Sequence, residues 1–379
     1  MFRHFPLPLP LLALTMAVIA ACDTPTDPQP LAPSPVADRV AAAGVLVNPG
    51  GSIQAAIDAA APGTVIRIAP GSYTEALTIK KPNLTLLGLG GGAGGDDPAS
   101  GVVLQNPGHQ EDGITVTAAG SGVAIRDLTV RGFGSNGVHL DGVDGFRLSG
   151  ITAQDDGEYG LFPVRSSHGV IEGCHVSGHS DTGIYVGQSR DVAILGNVTF
   201  ANVNGIEIEN SSDVRAIANE TYDNTAGILV VVLPGLDVKA TAHILIAGNR
   251  VHDNNHANFG NPQDIVAVVP PGSGILVVGA DTVSVVGNAV TGNHFVGIGL
   301  GSSLTLGALA GLPPSAFADI DPDPDGVRVV GNRVTGNGGA SPIPFLPAVD
   351  LLWDGRGTSD CWQGNTFGTS APAPLPACR

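Results

Sequence analysis

Gly287-Asn-Ala-Val-Thr-Gly-Asn293 and Gly331-Asn-Arg-Val-Thr-Gly-Asn337 are two copies of one heptapeptide, differing only at the third residue. The frame recurs along the chain. Asn197, Asn219, Asn249, Asn288, Asn332 and Asn365 each follow an apolar run, and all but Asn365 are echoed five residues later, by Asn202, Asn224, Asn254, Asn293 and Asn337. A helix has no use for such a pattern, but a stack of β-coils does. Asparagines at equal places in successive coils sit above one another, and their amides hydrogen-bond up the stack.

A second series sets the period. Gly137, Gly160, Gly183, Gly205 and Gly227 each open a short apolar strand, at steps of 22–23 residues, and Gly274 and Gly297 continue the series. The longer step from Gly227 to Gly274 reads as two coils with a small insertion. Alternation along each strand assigns faces. Val138/Leu140, Leu161/Pro163, Ile184/Val186, Ile206/Ile208 and Ile228/Val230 point inward; His139/Asp141, Phe162/Val164, Tyr185/Gly187 and Glu207/Glu209 point outward. His139, Phe162, Tyr185 and Glu207 should therefore form one outward column. Earlier coils put Ile151 and Cys174 at the asparagine position, which makes Cys174 an inward, inert thiol.

Composition agrees with narrow coils. Aromatics are only 4% of residues, while glycine numbers 54 of 379. Ser52 is placed to cap a short helix over Ile53 to Ala61, with Ile53, Ile57 and Ala60 on one face and Pro62-Gly63 as its stop. The chain reads as an all-β protein, a parallel β-helix solenoid of 22–23-residue coils with a short N-terminal capping helix, spanning 51–379.

Before it lie two segments of another kind. Arg3, the apolar stretch Leu7 to Ile19 and Ile19-Ala-Ala-Cys22 form a targeting segment, residues 1–21. The apolar run is short for a membrane span. Its last four residues resemble the bacterial lipoprotein signal, which implies that Cys22 is acylated and tethers the protein to a membrane on its extracytoplasmic side, in the cell envelope. Residues 22–50, with Pro25, Pro28, Pro30, Pro33 and Pro35, read as a Pro-rich tether. Cys361 and Cys378 enclose a Pro-rich tail, and export permits a disulfide between them that closes the last turn.

The formal charge is −17, one unit more negative without Arg3. That argues against nucleic acid as a partner, because phosphate binding depends on cationic side chains. A polyanionic polysaccharide is disfavoured on the same ground unless a basic patch or divalent cation intervenes. A monomer is expected.

The text from Ser52-Ile-Gln-Ala-Ala-Ile-Asp-Ala-Ala60 through Ala69-Pro-Gly-Ser-Tyr-Thr-Glu75 resembles the opening of bacterial right-handed parallel β-helix proteins, whose amphipathic helix plugs the end of the solenoid. That resemblance implies the right hand, as does the general preference for right-handed crossovers. One rung, Asp155-Asp-Gly-Glu-Tyr-Gly-Leu-Phe-Pro-Val-Arg-Ser-Ser-His168, resembles the catalytic rung of alginate C5-epimerases, where Tyr-Gly is followed by Asp-Pro-His-Asp and then Arg-Ser-His-Gly. Tyr159, Gly160, Pro163, Ser167, His168 and Gly169 keep or lie near the frame. Phe162 stands where the first Asp would be, Val164 where the His would be, and Arg165 where the second Asp would be. Abstraction of a uronate C5 proton needs a base and a cation to neutralise the carboxylate, and Phe and Val supply neither. Arg165 remains as a carboxylate partner, with Tyr185 and His139 on neighbouring coils as acid or base.

Other candidates are Tyr159 and Phe162 as a sugar platform, and Glu207 and Glu209 as ligand-binding or paired carboxylates. The plainer expectation is that the aromatics only stack on one another and that the two glutamates are solvated. Asp319, Asp321, Asp323 and Asp325 alternate before Gly326 and resemble calcium loops of the Asp-x-Asp-x-Asp-Gly kind, though two prolines stiffen the run and no glutamate closes it. Calcium is thus the one ion considered, and no other cofactor is expected. Insertions at 231–243, 255–273 and 302–325 are expected to fold over one side of the C-terminal half.

Function divides three ways. The first reading is a membrane-anchored lipoprotein that binds a glycan or another envelope component without catalysis. The second is a polysaccharide-active enzyme, a lyase, epimerase or hydrolase, working on the outward strand face. The third is a periplasmic accessory of the NosD-like kind that loads copper into a reductase; the only two methionines lie in the signal segment, which ranks it last.

Overall fold

The computed structural model describes residues 44–90 and 101–379; the signal segment, Cys22 and most of the tether lie outside them. Each coil gives one strand to each of three parallel sheets, one of twelve strands and two of eleven. A single turn shows the plan. Asn136–Asp141, Asp144–Ser149 and Thr152–Gln154 lie on successive sheets, and the chain returns as Tyr159–Val164 directly against Asn136–Asp141.

The glycine-led strands form one of the 11-stranded sheets, called here the front sheet. Its register pairs Val138 with Leu161 and His139 with Phe162, then Ile184 with Ile206 and Tyr185 with Glu207. Val138, Leu140, Leu161, Ile184, Val186, Ile206, Ile208, Ile228 and Val230 are fully buried in the long central core. Each such aliphatic side chain contributes roughly 1.5–3 kcal/mol on burial, which is why the period-two pattern holds the register.

Two expectations need correction. The step from Gly227 to Gly274 is one coil, not two: Ala226–Val231 pairs directly with Ser273–Val278. The strands between them, Ala242–Ala247 and Arg250–His252, belong to the other two sheets, and the surplus length lies in loops over 232–241 and 253–272. The solenoid also starts before residue 51. Val45–Val47 is a strand paired with Ile66–Ile68, so the tether ends before it. Val-Leu-Val is apolar enough to extend the sheet, and the prolines behind it mask that in the sequence.

The helix runs Ile53–Ala59. Ser52 Oγ accepts from the Ala55 N–H, Glu75 accepts from the Ile53 and Gln54 N–H groups, and Ile53 and Ile57 enter the core.

The asparagines form two ladders. In the first, Asn197, Asn219, Asn249, Asn288, Asn332 and Asn365 each pass an Nδ2–H to the Oδ1 of the next at 2.9–3.0 Å. The glycine ahead of most of these asparagines reflects the corner, which turns through a left-handed backbone: φ is 59° at Gly196 and 64° at Gly287, and Ala218 takes 57° without being glycine. Cys174 heads this ladder, its N–H donating to Asn197 Oδ1 at 2.9 Å. Its thiol is fully buried, and burial pushes its pKa up to about 12.

The second ladder runs from Asn202 through Asn224, Asn254 and Asn293 to Asn337, and ends on Asp350 Oδ1 at 3.0 Å. His179 heads it, buried, with Nδ1 2.8 Å from Asn202 Oδ1. At the C-terminal end Cys361 and Cys378 are bonded, and Trp362 bridges to Ala377 beside them.

Candidate functional site

The outward face of the front sheet is built by the second residue after each glycine, joined by the residue before it. His139 and Phe162 stand 5.1 Å apart, centroid to centroid, and Phe162 and Tyr185 4.8 Å apart. Tyr159 stacks on Phe162 at 4.3 Å and meets Tyr185 edge-on at 5.3 Å. Tyr159, Phe162 and His139 are half-buried, so part of this aromatic step faces solvent. Beside it, Asp112 Oδ2 lies 2.9 Å from His139 Nδ1, and Asp112 Oδ1 accepts from Asn136 Nδ2 at 2.6 Å. Burial would raise the Asp112 carboxyl, but hydrogen bonds from His139, Asn136 and Thr115 outweigh it and hold the pKa below the usual range.

Toward the C-terminus the same face is covered. Leu233, from the insertion after the strand Ala226–Val231, joins Ile265, Val266 and Val269 of the loop 253–272 and Leu306 of the helix Ser303–Leu309. Together they roof a cavity of about 60 Å³ whose floor is Tyr159, Asp181, Asn204, Glu207 and Glu209. Glu207 and Glu209 are 6% and 9% exposed, so the expectation of solvated glutamates is wrong here. The insertions fold onto the coils that carry these carboxylates and seal them in.

The carboxylates are held by neutral groups. Asp181 Oδ2 accepts from the Tyr159 hydroxyl at 2.8 Å, and Asn204 Nδ2 donates to Glu207 Oε2 at 3.0 Å. Thr182 Oγ1 lies 2.9 Å from Asp181 Oδ1 and 2.6 Å from Glu207 Oε2. A hydroxyl carries one proton. It can serve one of these oxygens, so the other contact requires a proton on a carboxyl group, and Glu207 is the more deeply desolvated of the two. Burial, then the charges of Asp181 and Glu209, push the Glu207 pKa well above the carboxylate range. Burial raises Asp181 to about 6 against the hydrogen bonds from Tyr159 and Thr182, and burial with the Asp181 charge takes Glu209 to about 7. Burial and the same carboxylates raise both tyrosines.

The structure thus brings together His139, Tyr159, Phe162, Tyr185, Glu207 and Glu209. It leaves out Arg165, which sits past the strand end and donates to Asp141 Oδ1 from Nε and Nη2 at 3.0 and 2.7 Å. The aspartates of 319–325 do not converge. Asp319 pairs with Lys239, while Asp325 accepts from the Thr358 N–H and hydroxyl. Among the described residues, no group of three or more His, Cys, Asp or Glu is arranged to hold a metal ion. Asp112, Asp181, Thr182 and Asn204 join the site without being evident from the sequence. Their signal is positional: Thr182 and Asn204 each precede a coil-opening glycine, as Tyr159 does.

Comparison with known proteins fits this architecture. Residues 112–308 match the family profile described as right handed beta helix region, and the chain belongs to that family. Among solved structures it is similar to the A-module of the Azotobacter vinelandii mannuronan C-5 epimerase AlgE4, with a TM-score of 0.59 and 20% identity over 89% of this chain and 98% of that one. It is also similar to the periplasmic alginate epimerase AlgG, with a TM-score of 0.53 and 14% identity over 84% of this chain and 83% of that one. A third is the DFA-IIIase of Arthrobacter chlorophenolicus A6, solved without its lid in complex with GF2: TM-score 0.50, 14% identity, covering 84% of this chain and 88% of that one. At these identities the likeness is one of fold. Comparison with curated protein sequences found no match.

Proposed function

We propose that this protein is an extracytoplasmic β-helix, held at a membrane by a lipid on Cys22, that binds a glycan on the outward face of its front sheet. The observation that carries the reading is the aromatic step of Tyr159, Phe162 and His139, half-open to solvent and running into a floor of buried carboxyl groups. Pyranose and furanose rings offer apolar C–H faces to aromatic side chains, and their hydroxyls suit carboxylates and amides; a concave apolar site with few convergent polar groups is the general form of a small-ligand site. The epimerases and the DFA-IIIase of like fold act on carbohydrates by their names, which supports a saccharide over other envelope components. A single copy of the chain contains the whole face.

A second reading, a glycan-cleaving or glycan-modifying enzyme, is favoured by one observation. Asp181, Glu207 and Glu209 are carboxyl groups with raised pKa values beside the aromatic step, and such pairs divide acid and base roles between them. The rung that resembles the epimerase motif lacks its acid and base, so any chemistry would come from the two coils after it. The test is incubation of the full-length protein in detergent with polyuronates and neutral glycans, with and without calcium, followed for binding, for unsaturated uronate and for reducing ends. Retention of one glycan without product is the expected result. New reducing ends or an unsaturated chromophore would replace it with the enzyme reading, and absence of binding to every glycan would overturn both.

A further inference from the structure

The closed end of the glycan face has a polarity of its own. Asn204 is fully buried, lines the cavity and uses its Nδ2 on Glu207, while its Oδ1 has no hydrogen-bond partner. A buried amide oxygen left unpaired is costly, and this one calls for a donor that enters the cavity. The Thr182 hydroxyl between Asp181 and Glu207 requires that one of those carboxyls also carry a proton. The groups that face Glu207 are Asp181 before its neighbouring strand, Glu209 on its own strand, Tyr159 and Tyr185 on the preceding coils, and Asp264 at the edge of the roof, whose charge reaches Asp181. None of these groups is a cation, and Arg165 is taken by Asp141 outside the cavity.

We infer that the cavity takes an uncharged, hydroxyl-bearing end of a glycan, and that Glu207 meets it as a neutral carboxylic acid. This rests on the glycan-binding reading above and names its ligand class. A hydroxyl of the ligand donates to Asn204 Oδ1, and its oxygen accepts from the Glu207 carboxyl. The apolar roof of Leu233, Val266 and Val269 covers the C–H side of the same group. A uronate carboxylate in that place would meet three carboxyl groups with no counter-charge, an arrangement that low-dielectric surroundings penalise heavily. The cavity of about 60 Å³ admits a hydroxymethyl arm or a ring edge, with the rest of the chain lying over Phe162 and His139.

The experiment is a set of calorimetric titrations of the full-length protein in detergent, from pH 5 to 9. The ligands are a neutral glucan, mannan and fructan against alginate and polygalacturonate. The wild type is compared with Glu207→Gln, an isosteric side chain that stays neutral and keeps a donor, and with Phe162→Ala. We expect a neutral glycan to bind at least tenfold more tightly than either polyuronate, with affinity falling as pH rises and Glu207→Gln removing that fall. An infrared band of a protonated carboxyl group, present in the wild type at neutral pH and lost in Glu207→Gln, would support the same assignment without any ligand. Tighter binding of a polyuronate that is still lost in Phe162→Ala would overturn the neutral-ligand inference while leaving the glycan face standing. Identical pH profiles for wild type and Glu207→Gln would overturn the role of Glu207. No binding by any of the five would overturn this inference and the glycan reading together.

Discussion

Thr182 Oγ1 lies 2.6 Å from Glu207 Oε2, and this contact joins two successive coils on the outward face of the front sheet. It is a bond between a hydroxyl and a group that most exposed surfaces would keep charged. Here the charge is suppressed, because the insertions roof the coils that carry it and no cation is supplied among the groups that face it. The face is therefore divided into an open aromatic half and a closed acidic half, and the division determines how the protein should respond to pH.

Stability should fall as pH rises from about 4 to about 7. Asp181 and Glu209 have folded pKa values raised to about 6 and about 7, and that of Glu207 is raised well above the usual range. A raised carboxyl pKa means that the folded state binds more protons than the unfolded chain, so its contribution is fully present below the unfolded pKa and is lost as pH climbs through the folded one. A tenfold difference in proton affinity between the two states is worth about 1.4 kcal/mol, which puts the combined loss at a few kcal/mol. Asp112 and Asp144 are lowered and work in the opposite sense below about pH 4. Thermal unfolding across this range should show a maximum near pH 4–5, and Asp181→Asn with Glu207→Gln should flatten the alkaline side. A melting temperature that rises from pH 5 to 8 would contradict the closed acidic half.

The ladder asparagines should be far more sensitive than their polarity suggests. Asn219 Oδ1 receives both the Asn197 N–H and the Asn197 Nδ2–H, each at 2.9 Å, and Asn219 Nδ2 donates to the Ile194 carbonyl. Asn219→Ala strands these buried groups and should cost roughly 2–5 kcal/mol in denaturant unfolding. Cys174→Asn should do the reverse of harm, extending the ladder by one rung with stability kept within about 1 kcal/mol of wild type. Equal losses in both variants would mean that the ladder is not what holds the corner.

Most of the fold is legible in the sequence because it is repetitive. The inward aliphatics and the ladder asparagines are each dictated by one local rule that recurs in every coil, so the repeat averages out any single ambiguity. The insertions have no repeat to average. Glu207 and Glu209 alternate with Ile206 and Ile208 as solvent-facing residues should, and only the tertiary position of Leu233 and Val266 buries them. For the same reason the step from Gly227 to Gly274 misleads, since a long loop and an extra coil add similar lengths of chain. Val45–Val47 escapes notice because a three-residue strand carries almost no periodicity.

Attachment to the membrane rests on Cys22, and it separates cleanly from the fold. Cys22→Ser should move the protein from the membrane pellet to the soluble fraction of cells, with the unfolding transition of the β-helix unchanged. A Cys22→Ser protein that still sediments with membranes would show that another element holds it there.

The central claim is that the aromatic step is a glycan-binding surface, and Phe162 is its middle member, within 5.1 Å of His139 and 4.3 Å of Tyr159. The most direct measurement is the affinity of the wild-type protein and of Phe162→Ala for the tightest glycan found, under one buffer. Removal of an aromatic ligand platform costs about 1–3 kcal/mol, so a loss of tenfold or more with an unchanged melting temperature is the predicted result. Equal affinity in the two proteins would contradict the account.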